Sequence, residues 1–238
     1  MSNNWDQPAI HGPRTVFWAG NAVAAGAFGV ILSCVLYAAS PVAAVLPGTI
    51  TSLDAAVAGM QMDRTMIHAA GCLGFLSNIV LAAGTLLMMA FRIPATYRVE
   101  RVGWAIVTLS VVIFLGVDTL ASGVLIQLAA LNGPKEVFLG FKLLYNILFV
   151  TGTIAFGLGV PCIFVSEMKS SDRCMPKPIL FLGMCNAIAG LVSGLLYLLD
   201  LSMPHIIGAN IPLIMGFSIA FGSLIFVVYG IQIARTAQ

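Results

Sequence analysis

Six apolar runs, each long enough to cross a lipid bilayer, constrain this chain more than any other feature. They cover roughly residues 15–39, 66–91, 102–131, 137–165, 179–199 and 206–234. A helix of about 20 apolar residues spans a hydrocarbon core of roughly 30 Å. Within that core each backbone N–H and C=O must find a partner, so runs of this kind are helices. Their apolar residues lie all round the helix axis rather than on one stripe, as expected where lipid and other helices share the surroundings. Charge, proline or glycine bounds each run, as in "RIPATYRVER", "NGPKE" and "EMKSSDRCMPKP". The expected fold is all-α and polytopic: six transmembrane helices in one bundle with short loops, a single transmembrane domain over 1–238.

Composition narrows the function classes. Hydrophobic residues make up 60% of the chain and charged residues 8%, whereas soluble domains carry about a quarter charged residues. The net charge of +2 gives no basic surface for nucleic acid, and membrane lipids are the expected partner. The five cysteines, Cys34, Cys72, Cys162, Cys174 and Cys185, form no CxxC pair and show no disulfide framework. The first run is longer than the apolar core of a signal peptide and reads as a retained helix.

The basic residues set an expected orientation. Arg14, Arg92, Arg98, Arg101, Lys169, Arg173, Lys177 and Arg235 fall on the side of the N-terminus; Arg64, Lys135 and Lys142 fall on the other. Eight against three places both termini in the cytoplasm. The longest outer loop contains "TSLDAAVAGMQM", where Thr51 and Asp54 stand in capping-box spacing. A short interfacial helix is expected near residues 52–60.

One short pattern occurs twice. "DRTMIHAAG" and "DLSMPHIIG" both read Asp-x-(Thr/Ser)-Met-x-His-x-x-Gly: Asp63, Met66 and His68, then Asp200, Met203 and His205. A helix start explains it, since Asp, Ser and Thr cap the first N–H groups and Gly permits close packing. By that account Asp63 or Thr65 caps the second span. The alternative is ligation: thioether and imidazole favour copper, and either histidine could be an axial ligand to haem or another pigment. Residues five apart on a helix lie about 140° apart by its ~3.6-residue turn, so a shared metal would need the two stretches to meet in space.

Asp118, in "FLGVDTLASG", is the more specific oddity. A carboxylate halfway along a span is costly and should face the bundle with partners. Counted from the turn at Gly133, Asp118 is level with Asn146 on the next span, and Lys142 lies one turn outward of Asn146. Asn146 or Lys142 is the expected partner; Thr119, Ser122, Tyr145 and Asn78 complete the candidate set. Asp118, Lys142 and Asn146 then form either a clamp between two helices or a proton or solute site.

Gly190 and Gly194 stand in GxxxG spacing, which implies close contact within the bundle or with another membrane subunit. Trp18, Trp104 and Tyr97 are expected in an aromatic belt at the cytoplasmic interface. The sequence has no Walker lysine, Rossmann fingerprint, HExxH or nucleophile elbow, and no lysine in its last span for a retinal.

The helix count, "RIPATYRVER" after the second span, "CMPKPILFLGMCNAIAGL" into the fifth and the closing "YGIQIAR" resemble a six-helix bacterial membrane family catalogued as domain of unknown function 4386. The resemblance implies a multi-pass protein of the bacterial inner membrane and carries no residue roles. The resulting expectation is a non-catalytic membrane protein, either a subunit of a complex or a binder of a small ligand. Transport through the Asp118 set is the first alternative. Haem, pigment or copper at His68 and His205 is the second.

Overall fold

The computed structural model describes residues 13–39, 53–93, 97–131, 133–170, 173–202 and 211–237. Among these residues there is no strand. The helices are α1 (Pro13–Ala39), α2 (Leu53–Met62), α3 (Arg64–Leu87), α4 (Arg98–Thr119), α5 (Ile126–Ala130), α6 (Lys135–Lys169), α7 (Lys177–Ser202) and α8 (Ile211–Thr236). Six segments are long and apolar enough to cross a membrane: Arg14–Ala39, Arg64–Arg92, Arg98–Ala130, Lys135–Lys169, Lys177–Leu199 and Ile214–Thr236. Spans two to five each begin two to four residues earlier than the apolar runs suggest. The charged residues Arg64, Arg98, Lys135 and Lys177 ride on the first helical turn instead of preceding it.

Short connections make neighbouring spans antiparallel. Each span packs on the next in chain order, and α8 returns to α1, so the six close into a ring. Glycines set the closest seams. A Cβ on Gly20 would stand 2.6 Å from the Gly230 carbonyl oxygen, and one on Gly26 would stand 2.5 Å from the Leu81 nitrogen. Gly103 and Gly159 bring α4 and α6 together in the same way, each Cβ position 2.8 Å from the other's carbonyl oxygen. Close backbone approach of this kind is how spans gain packing where lipid supplies no hydrophobic driving force. Gly190 and Gly194 are used inside the ring: Gly190 faces Ser218 of α8, and Gly194 faces Ile154 of α6. The outer surface is apolar, with Leu76, Leu86, Leu109, Phe181, Leu199 and Phe217 all exposed.

The interior is filled unevenly. In the half nearer the start of α1, Trp104 stacks on Tyr229, and Phe226 meets Phe156, Phe164 and Trp104. Trp104 is fully buried, which corrects its expected place in an interfacial belt. Trp18 and Tyr97 are exposed.

The expected short helix is α2. It buries Ala56 and Met60 against α5, and Asp54 pairs with Lys135 across the two loops. It runs into α3 with only Asp63 between them, and this corrects the capping expectation. Asp63 makes no side-chain cap hydrogen bond, because the chain arrives already helical. The Asp63 N–H reaches the Gly59 carbonyl, and the Asp63 carbonyl accepts from Ile67.

Candidate functional site

Two spans carry π-helical turns, Met88–Arg92 and Leu120–Leu125. Such turns are rare and recur at functional sites. Here each adjoins a charged group turned into the bundle: the first ends on half-buried Arg92, and the second begins two residues after buried Asp118.

Asp118 is buried and faces the bundle interior. Its carboxylate Oδ2 accepts a hydrogen bond from Asn78 Nδ2 of α3 at 2.9 Å. The register between the third and fourth spans is close to the expected one. Gly116 meets Leu148, and Ser110 donates to the Gly152 carbonyl, which levels Asp118 with Asn146. The side chain nevertheless turns to the second span, where Gly74 makes room for it. A Cβ at Gly74 would lie 2.6 Å from Asp118 Oδ1. Asn146, a partner expected from the sequence, does not make this bond. Its Oδ1 is buried without a hydrogen bond. Lys142 is also buried, and its ammonium lies over the Tyr145 ring, 4.5 Å from the centroid. Thr119 and Ser122 turn their hydroxyls to their own helix, onto the carbonyls of Leu115 and Asp118.

Beside Asp118 lies a cavity of about 350 Å³, in the half of the ring that the aromatic core leaves empty. Asp118, Asn78 and Ser33 supply polar groups. Tyr37, Phe114, Tyr145, Phe149 and Phe217 supply aromatic wall. The Tyr37 hydroxyl is buried with no hydrogen-bond partner. Val35 and Phe217, both exposed on the outer surface of the bundle, form part of the wall. The cavity therefore reaches the lipid-facing side between the first and sixth spans.

The pair formed by Asp118 and Asn78 gives a clear expectation. Asp118→Asn keeps the shape and a hydrogen bond to Asn78 and should fold nearly as the parent does. Asp118→Leu leaves the Asn78 amide unpaired and should cost about 1–3 kcal/mol. Thermal melts of both variants in detergent read this directly. Equal melting of the two would show that the pair contributes nothing.

His68 is the one described histidine of the repeated stretch. Its Nδ1 lies 2.9 Å from the Ser122 carbonyl oxygen, inside the π turn of the third span. A carbonyl only accepts, so Nδ1 is the donor in this contact, and Nε2 lies 3.6 Å from Cys72 Sγ. The ring thus ties the second span to the third. Met66 is half-buried and Met62 points outward, while Met60 belongs to the core. Met203 and His205, and the side chain of Asp200, lie outside the described residues. No three His, Cys, Asp or Glu side chains gather in a metal-like cluster among the described residues.

A second polar centre was not legible in the sequence. At the opposite end of the ring, Arg92 Nη1 donates to the Tyr229 hydroxyl at 2.8 Å. Its Nη2 lies 3.5 Å from Glu167 Oε2, and Nη1 lies 3.8 Å from Glu100 Oε1. The Tyr229 hydroxyl donates to Glu167 Oε2 at 3.1 Å, and the Cys174 N–H donates to Oε1 at 2.5 Å. Burial pushes the Cys174 thiol up, and the Arg92 charge pulls it the other way. Four spans and the connection before α7 meet here around one guanidinium. Arg92, Glu100 and Glu167 each sit at a span end, where charged residues ordinarily read as interface anchors.

Six apolar spans in a ring, with charge confined to two interior centres and the span ends, define an integral membrane protein of the multi-pass helical class. No protein-family model, curated protein or solved structure matches the chain.

Proposed function

We propose that this protein binds one small, largely apolar ligand in the cavity beside Asp118 and catalyses no reaction on it. The observation that carries the reading is the cavity itself: 350 Å³ of space with a few convergent polar groups on an otherwise apolar wall. Small-molecule sites have this character, with volumes of about 300–1,000 Å³. Binding is favoured over transport because α1, α3 and α6 pass this level as regular helices and the third span departs only by the π turn after Asp118, whereas transporter sites are commonly built on unwound, interrupted spans. The wall that reaches the outer surface at Val35 and Phe217 suits a ligand arriving through the bilayer.

A neutral fluorescent probe tests the reading. N-phenyl-1-naphthylamine should show a saturable component in lipid nanodiscs, near one per chain, above its partitioning into empty discs. Gly216 belongs to the wall, and a Cβ there meets nothing within 4 Å. Gly216→Phe therefore fills the space without displacing Asp118 and should abolish that component. Partitioning identical to empty discs would end the reading.

The basic asymmetry and the resemblance to a bacterial family support a multi-pass protein of the bacterial inner membrane with both termini in the cytoplasm. Cysteines introduced by Asp172→Cys and Lys135→Cys should label from the inner and outer sides respectively. Reversed labelling at both positions would contradict this orientation.

A further inference from the structure

We infer that the ligand of this cavity is an organic cation, a lipophilic amine or a quaternary ammonium, an inference that rests on the binding reading above. The carboxylate of Asp118 has an amide donor in Asn78, and no described Lys, Arg or His forms an ion pair with it. One neutral hydrogen bond does not compensate a carboxylate held away from water; buried charge is ordinarily paired. A carboxyl so placed either takes up a proton or is paired by a cation, and the cavity is the side from which a cation can reach it.

The wall selects among cations. Aromatic side chains attract a cation placed over a ring face within about 6 Å, and cages of them recognise quaternary ammonium groups. Tyr37, Phe114, Phe149 and Phe217 line the space next to Asp118, and the Tyr145 ring beside them already carries the Lys142 ammonium. A hard metal ion would instead require about six oxygen ligands. The wall offers the Asp118 carboxylate, the Asn78 side chain and a few hydroxyls, of which Ser33 already donates to the Ala70 carbonyl. An anion would meet the carboxylate. A neutral apolar ligand would fill the space and leave the charge as it is. The Tyr37 hydroxyl, buried without a partner, is left to hydrogen-bond a polar substituent on the ligand.

Two isosteric probes separate charge from shape. Benzyltrimethylammonium and neopentylbenzene differ only in a nitrogen cation replacing a quaternary carbon. In nanodiscs carrying bound N-phenyl-1-naphthylamine, the cation should displace the fluorophore at least about tenfold more effectively than its carbon twin, as expected for a desolvated cation–aromatic contact plus a charge pair. Asp118→Asn, which retains the partner of Asn78, should remove that preference, read as the ratio of the two probes' displacement. Equal displacement by the two probes, or a preference that survives Asp118→Asn, overturns the cation assignment and leaves the cavity reading standing. Absence of any saturable fluorophore component overturns both.

Discussion

Arg92→Met should destabilise the bundle by roughly 3–5 kcal/mol, the range for removing one partner of a buried ion pair. Methionine is apolar and flexible enough to occupy much of the vacated space, so the loss reports charge and hydrogen bonding more than packing. Without the guanidinium, Glu167 keeps the Tyr229 hydroxyl and the Cys174 N–H but has no cation. Its side chain is only 3% exposed, so water does not replace the lost charge. Glu100, 3.8 Å from the same guanidinium, loses its counter-ion as well. Thermal and denaturant melts in one detergent provide the measurement. Arg92→Met combined with Glu167→Gln should recover part of the loss, because the orphaned charge is gone. A single variant as stable as the parent would show that the cluster is decorative.

The second large effect is expected at the seam that closes the ring. Gly20→Ala places a methyl 2.6 Å from the Gly230 carbonyl oxygen and 2.8 Å from the Ala234 nitrogen. Both obstacles are backbone, so neither can swing aside, and α1 and α8 must part. Overpacking of this kind costs about 1–3 kcal/mol and at times more. Gly230→Ala should do the same from the other side, with its Cβ 2.5 Å from the Gly20 carbonyl oxygen. Gly140 supplies the control: a Cβ there meets nothing within 4 Å. Gly140→Ala should be neutral or stabilising by about 0.5–1 kcal/mol, since alanine has the better helix propensity. Equal melting of all three variants would refute the seam.

The spans were legible in the sequence because hydrocarbon demands continuous apolar helices, and nothing else in the chain mimics that demand. Asp118 was legible for the same reason, as an isolated carboxylate inside such a run. Its partner was not. A helix that is apolar all round gives no sign of which way it is rotated, so level alone pointed to Asn146, while rotation decided for Asn78. The vacancy at Gly74 that admits the carboxylate is likewise visible only once α3 and α4 are packed. The π turn at Leu120–Leu125 left no sequence pattern that set it apart from an ordinary helix. The Arg92 cluster was hidden differently. Arg92, Glu100 and Glu167 each fit the pattern of charges at membrane interfaces, and only the closed ring shows that they point inward to one place. In the repeated stretch, the capping expectation failed at Asp63 because α2 already supplies the helix that a cap would otherwise start.

Whether the space beside Asp118 takes a ligand is tested most directly by a structure with a heavy-atom probe. Crystals grown from lipid with a brominated N-phenylnaphthylamine should show bromine anomalous density within the cavity, enclosed by Tyr37, Phe114 and Phe217. Bromine found only on the outer surface of the bundle, with the cavity closed or empty, would contradict the account.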